Sequence, residues 1–488
     1  MTDPTPEHVL AAARQQQFLD VISRDAAETR FHEHLDLVPR HVDTVSLDMA
    51  AGRVLSEDII AGTDVPAFDR SNVDGFAVRA VDTSGAMEED PRRLELNSEL
   101  LSPGMAPQQE VTAGTATTIA TGAVVPRGAD AIVMVEHTQL DADDTLLVQH
   151  PVVAGQRITY AGTDIARGET VLRQRQLLTS REIGVLAAIG LESVTVYRQP
   201  RVAIISTGDE VVPPGQPLGY GQVYDSNAAI LSSAVVELGG KAFCLGCVAD
   251  DEQEIERVLA QALEYDLVLL SGGTSKGAGD LSYRAVAKLP PPGIVAHGVA
   301  LKPGKPICLA VTGTTPVVIL PGFPTSAVFT FHEFVAPLIR QLAGLPRQVP
   351  HTLTANLPVR VNSERGRTEY LLVSLTTVDS GLAAYPMGKG SGSVTTFSAA
   401  DGFLTIPEQT EILDKGSEVN VQLLGEQLRP ADLVVIGSHC VGLDYLLGLL
   451  QQRGLAIKSL FVGSSGGLAA VERGECDVAG IHLVDPET

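Results

Sequence analysis

Between residues 180 and 345 the chain alternates short apolar runs with longer segments of helical spacing. PRVAIIST (200–207), KAFCLGCV (241–248), DLVLLSGG (266–273) and VVILPG (317–322) have the length and composition of buried strands. SREIGVLAAIG (180–190), SNAAILSSAVVELGG (226–240), DDEQEIERVLAQALEY (250–265), DLSYRAVAKL (280–289) and the long TSAVFTFHEFVAPLIRQLAG (325–344) repeat apolar residues at helical intervals. Strands alternating with helices predict parallel βαβ units, with ligand-binding loops at the strand C-termini.

On either side the period changes. PEHVLAAARQQQFLDVISRDAAETRFHEHL predicts a helix over 6–36, with Pro6 suited to its first turn, and SLDMAAGRVLSEDI (46–59) a second one. Residues 64–178 carry short runs punctuated by Gly, Pro and Asp, which predicts a β-rich insertion. Short strands return over 346–428 as a small β-barrel or sandwich, and 429–488 switches back to α/β. The expected organisation is a multidomain α/β chain divided at 1–63, 64–178, 179–345, 346–428 and 429–488.

A chain of 488 residues with 44% apolar composition has enough material for several packed cores. Its 35 basic against 59 acidic residues give a formal net charge of −24, which argues against general nucleic-acid binding. An anionic substrate would need local cations or a metal ion. The N-terminus has neither the basic nor the apolar region of a secretory signal. No apolar run approaches the roughly 18 residues of a membrane span. The five cysteines are scattered; the CLGC pair, Cys244 and Cys247, lacks the second pair that would complete a zinc site, so buried structural thiols are expected. The odd count and the missing signal point to a cytoplasmic protein.

The candidate chemistry lies at the strand ends of the α/β segment: STGDE (206–210), YDSN (224–227), ADDE (249–252), SGGTSKGAGD (271–280), LKPGKP (301–306) and LPGFPTSA (320–327). Each alone also reads as a turn or a helix cap. SGGTSKGAGD is neither a Walker A loop nor a dinucleotide fingerprint. In a doubly wound sheet, however, these ends converge on one crevice. Glycine-loop amides would there meet Glu210, Asp250 and Asp280, a combination that makes sense if Mg²⁺ bridges carboxylates and phosphate.

Seven ordered stretches, PAFDRSNVDGFAVR (66–79), ATGAVVPRGADAIVMVE (120–136), ISTGDE, GQVYDSN, SGGTSKGAGD, LKPGKP and LPGFPTSA, together resemble the molybdopterin molybdenumtransferase family, which includes MoeA and the gephyrin E domain. The resemblance covers roughly residues 40–425. It implies a molybdopterin-binding-like central domain, a β-rich insertion, an elongated N-terminal part and a C-terminal β-barrel. It also implies an enzyme that takes adenylylated molybdopterin and molybdate, inserts the metal at the dithiolene with Mg²⁺ and releases AMP. The nucleophilic sulfurs then belong to the substrate, in keeping with a sequence that offers no catalytic triad.

Carried over position by position, the resemblance assigns Asp280 and Asp250 to the metal and nucleotide end and Glu210 to a carboxylate needed for activity. Gly272, Gly273 and Ser275 would donate to phosphate. Lys302 and Lys305 would offset pterin phosphate or molybdate charge, Ser391 would contact molybdate, and Pro321 and Pro324 would shape the pocket. Asp74 and Thr121 match positions that reach the pocket of the other subunit, so a homodimer is implied, and Asp164 matches a further acidic position. Ordinary turn roles for Asp74, Thr121, Asp164 and Ser391 stay open.

Two departures stand out. Gly298, preceded by His297, replaces a lysine, and Leu372 replaces an arginine that helps hold molybdate, leaving Arg367 or Lys389 as replacements. The tail resembles part of a periplasmic-binding-protein-like, molybdate-receptor-type domain, whose anion loops would be Gly437-Ser438-His439 and Val462-Gly463-Ser464-Ser465. About 60 residues is a marginal size for such a fold, and an inert or partly disordered remnant is expected. Two other functions compete. One is a non-catalytic oxyanion sensor or scaffold. The other is a nucleotide-dependent dehydrogenase, opposed by the missing GxGxxG after the first central strand.

Overall fold

The computed structural model describes residues 20–272, 281–378, 381–387, 394–424 and 431–483. Arg40–Arg198 forms one compact unit and the other described residues form a second.

In the second unit, β1 (Arg201–Thr207), α1 (Ser226–Glu237), β2 (Lys241–Val248), α2 (Glu252–Ala262), β3 (Leu267–Ser271), α3 (Leu281–Ala287), β4 (Pro292–His297), β5 (Cys308–Thr312) and β6 (Thr315–Leu320) build a six-stranded sheet. Its order is β2-β1-β3-β6-β5-β4. The pairs β1–β2, β1–β3 and β3–β6 are parallel, while β5 pairs antiparallel with β6 and with β4. The four expected central strands are present. The hairpin β4–β5 was not expected, because its sequence opens on consecutive prolines; Pro292 is tolerated as the first residue of an edge strand.

The sheet is buried on both faces, which is why its central strands read as unbroken apolar runs. Alternate residues face opposite sides. Val202, Ile204, Leu267 and Leu269 pack with Leu231 and Val235 of α1 and with Ala27 and Phe31 of the N-terminal helix Arg24–His32. Ala203, Ile205, Val268 and Leu270 pack with Ile255, Val258 and Leu259 of α2 and with Val286 of α3. Phe31 is fully buried, so truncating it to alanine removes contacts that typically stabilise by about 3–5 kcal/mol.

Several expected helices are shorter. Asp20 and Ile22 form bridges to His297 and Val299, and the helix begins only at Arg24, where Ser23 accepts from the Ala26 amide at 3.2 Å. Residues 1–19 lie outside the described residues. Within 46–59 only Leu47–Ala50 is helical, and Gly52 at φ 77° turns the chain away. The long helix after β6 is two, α4 (Pro324–Phe334) and α5 (Ala336–Leu342). They break at Val335 because Pro337 has no amide hydrogen to continue the ladder.

Beyond the sheet, β7 (Thr352–Asn356), β8 (Thr368–Val378), β9 (Gly381–Pro386), β10 (Gly402–Ile406) and β11 (Glu418–Leu423) close a five-stranded barrel. The order is β8-β9-β7-β11-β10, and the β8–β10 pairing closes it. Leu301–Lys302 adds to β8 in parallel, which ties the loop after β4 to the barrel.

The tail is ordered over 431–483, where partial disorder was expected. β12 (Leu433–Gly437), α6 (Val441–Gln452), β13 (Ile457–Phe461) and α7 (Ser464–Glu472) form, and β12 pairs in parallel with β13. Ile436, Leu460 and Ala470 are buried against Ala383 and Tyr385 of the barrel. Lys458 reaches across to Asp401 and to the Leu375 carbonyl, each at 2.5 Å. A segment this small has little core of its own, and the barrel's surface supplies a second wall.

The Arg40–Arg198 unit contains a six-stranded sheet in the spatial order Ala131–Met134, Gly75–Val78, Thr115–Ile119, Arg92–Leu101, Leu146–Val148, Thr138–Leu140. A separate layer pairs Val42–Ser46 with Ser193–Tyr197 beside the helix Ser180–Ala188, whose start carries a Thr179/Glu182 capping box. Among the described residues no helix is long and apolar enough to cross a membrane.

Candidate active site

The chain leaves β1 for β2 on one side and returns to β3 on the other, so the C-terminal ends of β1 and β3 flank a switch point. A cavity of about 1220 Å³ opens there. Glu210, Asp250 and Gly272 line it, together with Asp225 and Asn227 at the start of α1, Pro321 and Pro324 after β6, Lys302 and Lys305, and Arg367, Tyr370 and Leu372 from the barrel. Nine positions singled out in the sequence therefore share one space: Glu210, Asp250, Gly272, Lys302, Lys305, Pro321, Pro324, Arg367 and Leu372. Gly273, Ser275, Asp280, Ser391 and Lys389 lie outside the described residues.

At the sheet end the loops are locked by short polar contacts. Gly272 has φ 110°, and a Cβ there would stand 2.5 Å from the Thr207 carbonyl oxygen, so only glycine allows this approach. Asp225 caps α1 by accepting from the Ala228 amide at 2.9 Å. The Asn227 Nδ2 donates to the Ser271 hydroxyl and to the Gly322 carbonyl, both at 2.9 Å. The Thr207 and Ser282 hydroxyls are 3.2 Å apart.

The carboxylates carry the electrostatics. Asp250 donates its amide to Asp209 Oδ1 at 3.0 Å. Its carboxyl is pushed above the usual range by burial first, then by the negative charges of Asp209 and Glu210. These oxygen donors suit a hard cation such as Mg²⁺, which takes one or two carboxylates and keeps its other positions for water or phosphate. Among the described residues no group of three or more carboxylate, imidazole or thiol ligands forms a ready cage.

On the barrel side, Lys302 is already engaged: Nζ lies 3.2 Å from Oε1 of Glu369, a buried carboxylate that also accepts from Ser363 at 2.7 Å. Leu372 is buried in an apolar wall with Phe329 and Tyr370, whose rings stack at 5.3 Å. The Tyr370 hydroxyl donates to Glu333 at 2.7 Å, and burial followed by the Glu333 charge holds its phenol well above the usual range. Gly298 adopts φ 94°, a conformation in which a lysine would be strained. The neighbouring His297 ring stacks on Tyr283 at 4.3 Å and is not among the residues lining the cavity.

Three further positions belong to the Arg40–Arg198 unit. Asp74 accepts from the Thr121 amide at 2.7 Å and hydroxyl at 3.1 Å, contacts that lower its pKa. Asp164 donates its amide to the Val65 carbonyl at 3.0 Å. In the tail, the Ser438 and Ser464 hydroxyls are 2.9 Å apart beside the starts of α6 and α7.

The thiols depart from expectation. Cys244 is exposed and Cys247 half-buried, because β2 is an edge strand that bulges between them, with Gly246 at φ 100°. Asn227, Ser271, Tyr370 and Glu369 also went unassigned in the sequence. YDSN and GRTEY were the available signals, but their partners lie far along the chain.

Models of known families match the chain in four segments. They are the MoeA N-terminal region (domains I and II) over 22–190, a probable molybdopterin binding domain over 203–341, the MoeA C-terminal region (domain IV) over 354–424, and a PBP superfamily domain over 447–488. Molybdopterin molybdenumtransferase 2 of Mycobacterium tuberculosis is 35% identical over 387 residues, covering 78% of this chain and 94% of its own. The Haemophilus influenzae molybdopterin molybdenumtransferase is 31% identical over 407 residues, covering 82% and 98%. The crystal structure of a molybdopterin biosynthesis MoeA protein from Pyrococcus horikosii matches with a TM-score of 0.73 and 36% identity, over 84% of this chain and all (100%) of that one. The chain belongs to the molybdopterin molybdenumtransferase family.

Proposed function

We propose that this enzyme of molybdenum cofactor biosynthesis inserts molybdate into adenylylated molybdopterin and releases AMP. The observation that carries the reading is a single cavity lined at the strand ends by Glu210 and Asp250, by Lys302 and Lys305 of the loop after β4, and by Arg367 beside β8. That division suits a substrate with a pyrophosphate linkage needing a bridging cation and an oxyanion needing positive charge. The dithiolene sulfurs displace oxygen from molybdate, which departs as water, and hydrolysis of the P–O–P linkage frees AMP. Asp250 and Asp280 would hold Mg²⁺, which supplies charge neutralisation at the phosphates. Gly272 and Gly273 amides and Ser275 would donate to phosphate oxygens, and Ser391 would contact molybdate.

The working form on this reading is a cytoplasmic homodimer in which Asp74, Thr121 and Asp164 serve the cavity of a second copy. The test is AMP release from adenylylated molybdopterin on addition of molybdate and Mg²⁺. Glu210→Ala and Asp280→Ala are expected to abolish turnover while leaving the fold intact; normal turnover in both overturns the site assignment. Co-expressed Asp74→Ala and Asp280→Ala chains should regain part of the activity that each lacks alone, since one of the two mixed sites is then intact.

A further inference from the structure

The cations lining the cavity do not all stand ready for a ligand. Lys302 lies opposite Glu369 in the parallel pairing of Leu301–Lys302 with β8. Glu369 is buried and held by Ser363, so withdrawing Lys302 from it would leave a buried carboxylate without its cation. Glu364 is different. Its side chain is 56% exposed, and its two oxygens engage two cations: Oε1 is 3.7 Å from Lys302 Nζ and Oε2 is 2.9 Å from Arg367 Nη1. Lys302 and Arg367 line the cavity, and Glu364 is not among the lining residues. The backbone beneath is pinned, with the Ser363 amide donating to the Glu411 carbonyl at 2.8 Å and the Gly366 amide to the Glu408 carbonyl at 2.7 Å. The turn is therefore held while the Glu364 carboxylate stays in solvent.

A carboxylate bridging an ammonium and a guanidinium offers anionic oxygens to the same two cations that would receive the oxygens of a small oxyanion. We propose that Glu364 is an internal competitor for the oxyanion: its carboxylate occupies Lys302 and Arg367 until molybdate displaces it, and so sets the anion affinity of the site. The inference rests on the proposed function for the identity of the anion.

Charge supports the exchange. With Glu364 and Glu369 in place, the two cations and two carboxylates cancel; departure of Glu364 leaves net positive charge for the incoming anion. Ion pairs this exposed are weak and screened, so a small anion can replace one, and the competitor's effect is limited to roughly five-fold. Glu369 could not act this way, because a buried carboxylate left without its cation is heavily penalised.

The test is equilibrium dialysis of the full chain against molybdate alone at low ionic strength, with bound metal quantified. Glu364→Gln is expected to bind molybdate roughly three- to five-fold more tightly than the wild type. Adding Arg367→Gln should erase that gain. Unchanged or weaker binding in Glu364→Gln overturns the proposal, as does absence of molybdate binding in both proteins. A gain that persists in the double variant overturns the part assigned to Arg367. Absence of AMP release from the wild type would strike the transferase reading alone, because the binding comparison needs no turnover.

Discussion

Asn227 donates from Nδ2 to the Gly322 carbonyl at 2.9 Å, and the same nitrogen donates to Ser271. One side chain thus joins the start of α1 to the ends of β3 and β6, the loops that form the sheet side of the cavity. Asn227 and Ser271 are both buried.

Asn227→Ala is therefore expected to destabilise the fold by about 1–3 kcal/mol, the usual consequence of leaving buried polar groups unpaired. Asn227→Asp should be at least as damaging, because it sets an acceptor against the Gly322 carbonyl. Urea denaturation reads both. Two variants within about 0.5 kcal/mol of wild type would mean that the clip is dispensable.

Asp250 predicts a pH dependence. Its carboxyl is raised in the folded chain by burial, then by Asp209 and Glu210. The folded state therefore holds the Asp250 proton to higher pH than the unfolded state does. Stability linked to this group is present at low pH and lost as pH rises through its raised folded pKa. Without divalent cation, Asp250→Asn should match the wild type at low pH and exceed it in Tm above that range. Mg²⁺ should raise the wild-type Tm more than the variant's. Parallel pH profiles for the two proteins would show that Asp250 is not under this repulsion.

What could be read in advance follows from how local each signal is. LVLL in β3 announces a strand because both its faces are buried, and GDE and SGG mark the strand ends beside it. The β4–β5 hairpin is hidden by prolines that only an edge strand tolerates. The break at Val335 hinges on Pro337, which lies inside an apolar run of otherwise helical period. Glu369 and Asn227 look ordinary until Lys302 and Gly322 are brought to them, and no local pattern encodes contacts at such separations. The tail's folding escaped notice for the same reason: its second core wall is Ala383 and Tyr385, in another segment.

Lys458 should hold the tail to the barrel. Its ammonium lies between the Asp401 carboxylate and the Leu375 carbonyl, and both side chains of the ion pair are mostly buried. Asp401 keeps other donors, the Leu375 amide at 2.6 Å and the Ser374 hydroxyl at 3.1 Å. Lys458→Met is therefore expected to cost about 1–3 kcal/mol rather than unfold the barrel. Limited proteolysis should cut the variant within 431–483 faster than the wild type. Equal cutting rates would mean that Ile436, Leu460 and Ala470 suffice to dock the tail.

The two thiols of β2 should differ in reactivity. The Cys247 Sγ lies 3.5 Å from Asp225 Oδ2, and its pKa is pushed up to about 11, by burial first and then by the Asp225 charge. At pH 8 its thiolate fraction is on the order of one in a thousand, and the thiolate is the species that alkylates. Cys244 and Cys440 are exposed. Iodoacetamide followed by peptide mass spectrometry should label Cys244 and Cys440 first and Cys247 much later. Asp225→Asn removes one of the charges that hold the thiol protonated, so it should speed Cys247 labelling while Cys440 stays unchanged. Because Asp225 lines the cavity and caps α1, a ligand that withdraws its carboxylate from Cys247 would have the same effect. Equal labelling of Cys244 and Cys247 in the wild type would remove the basis for this coupling.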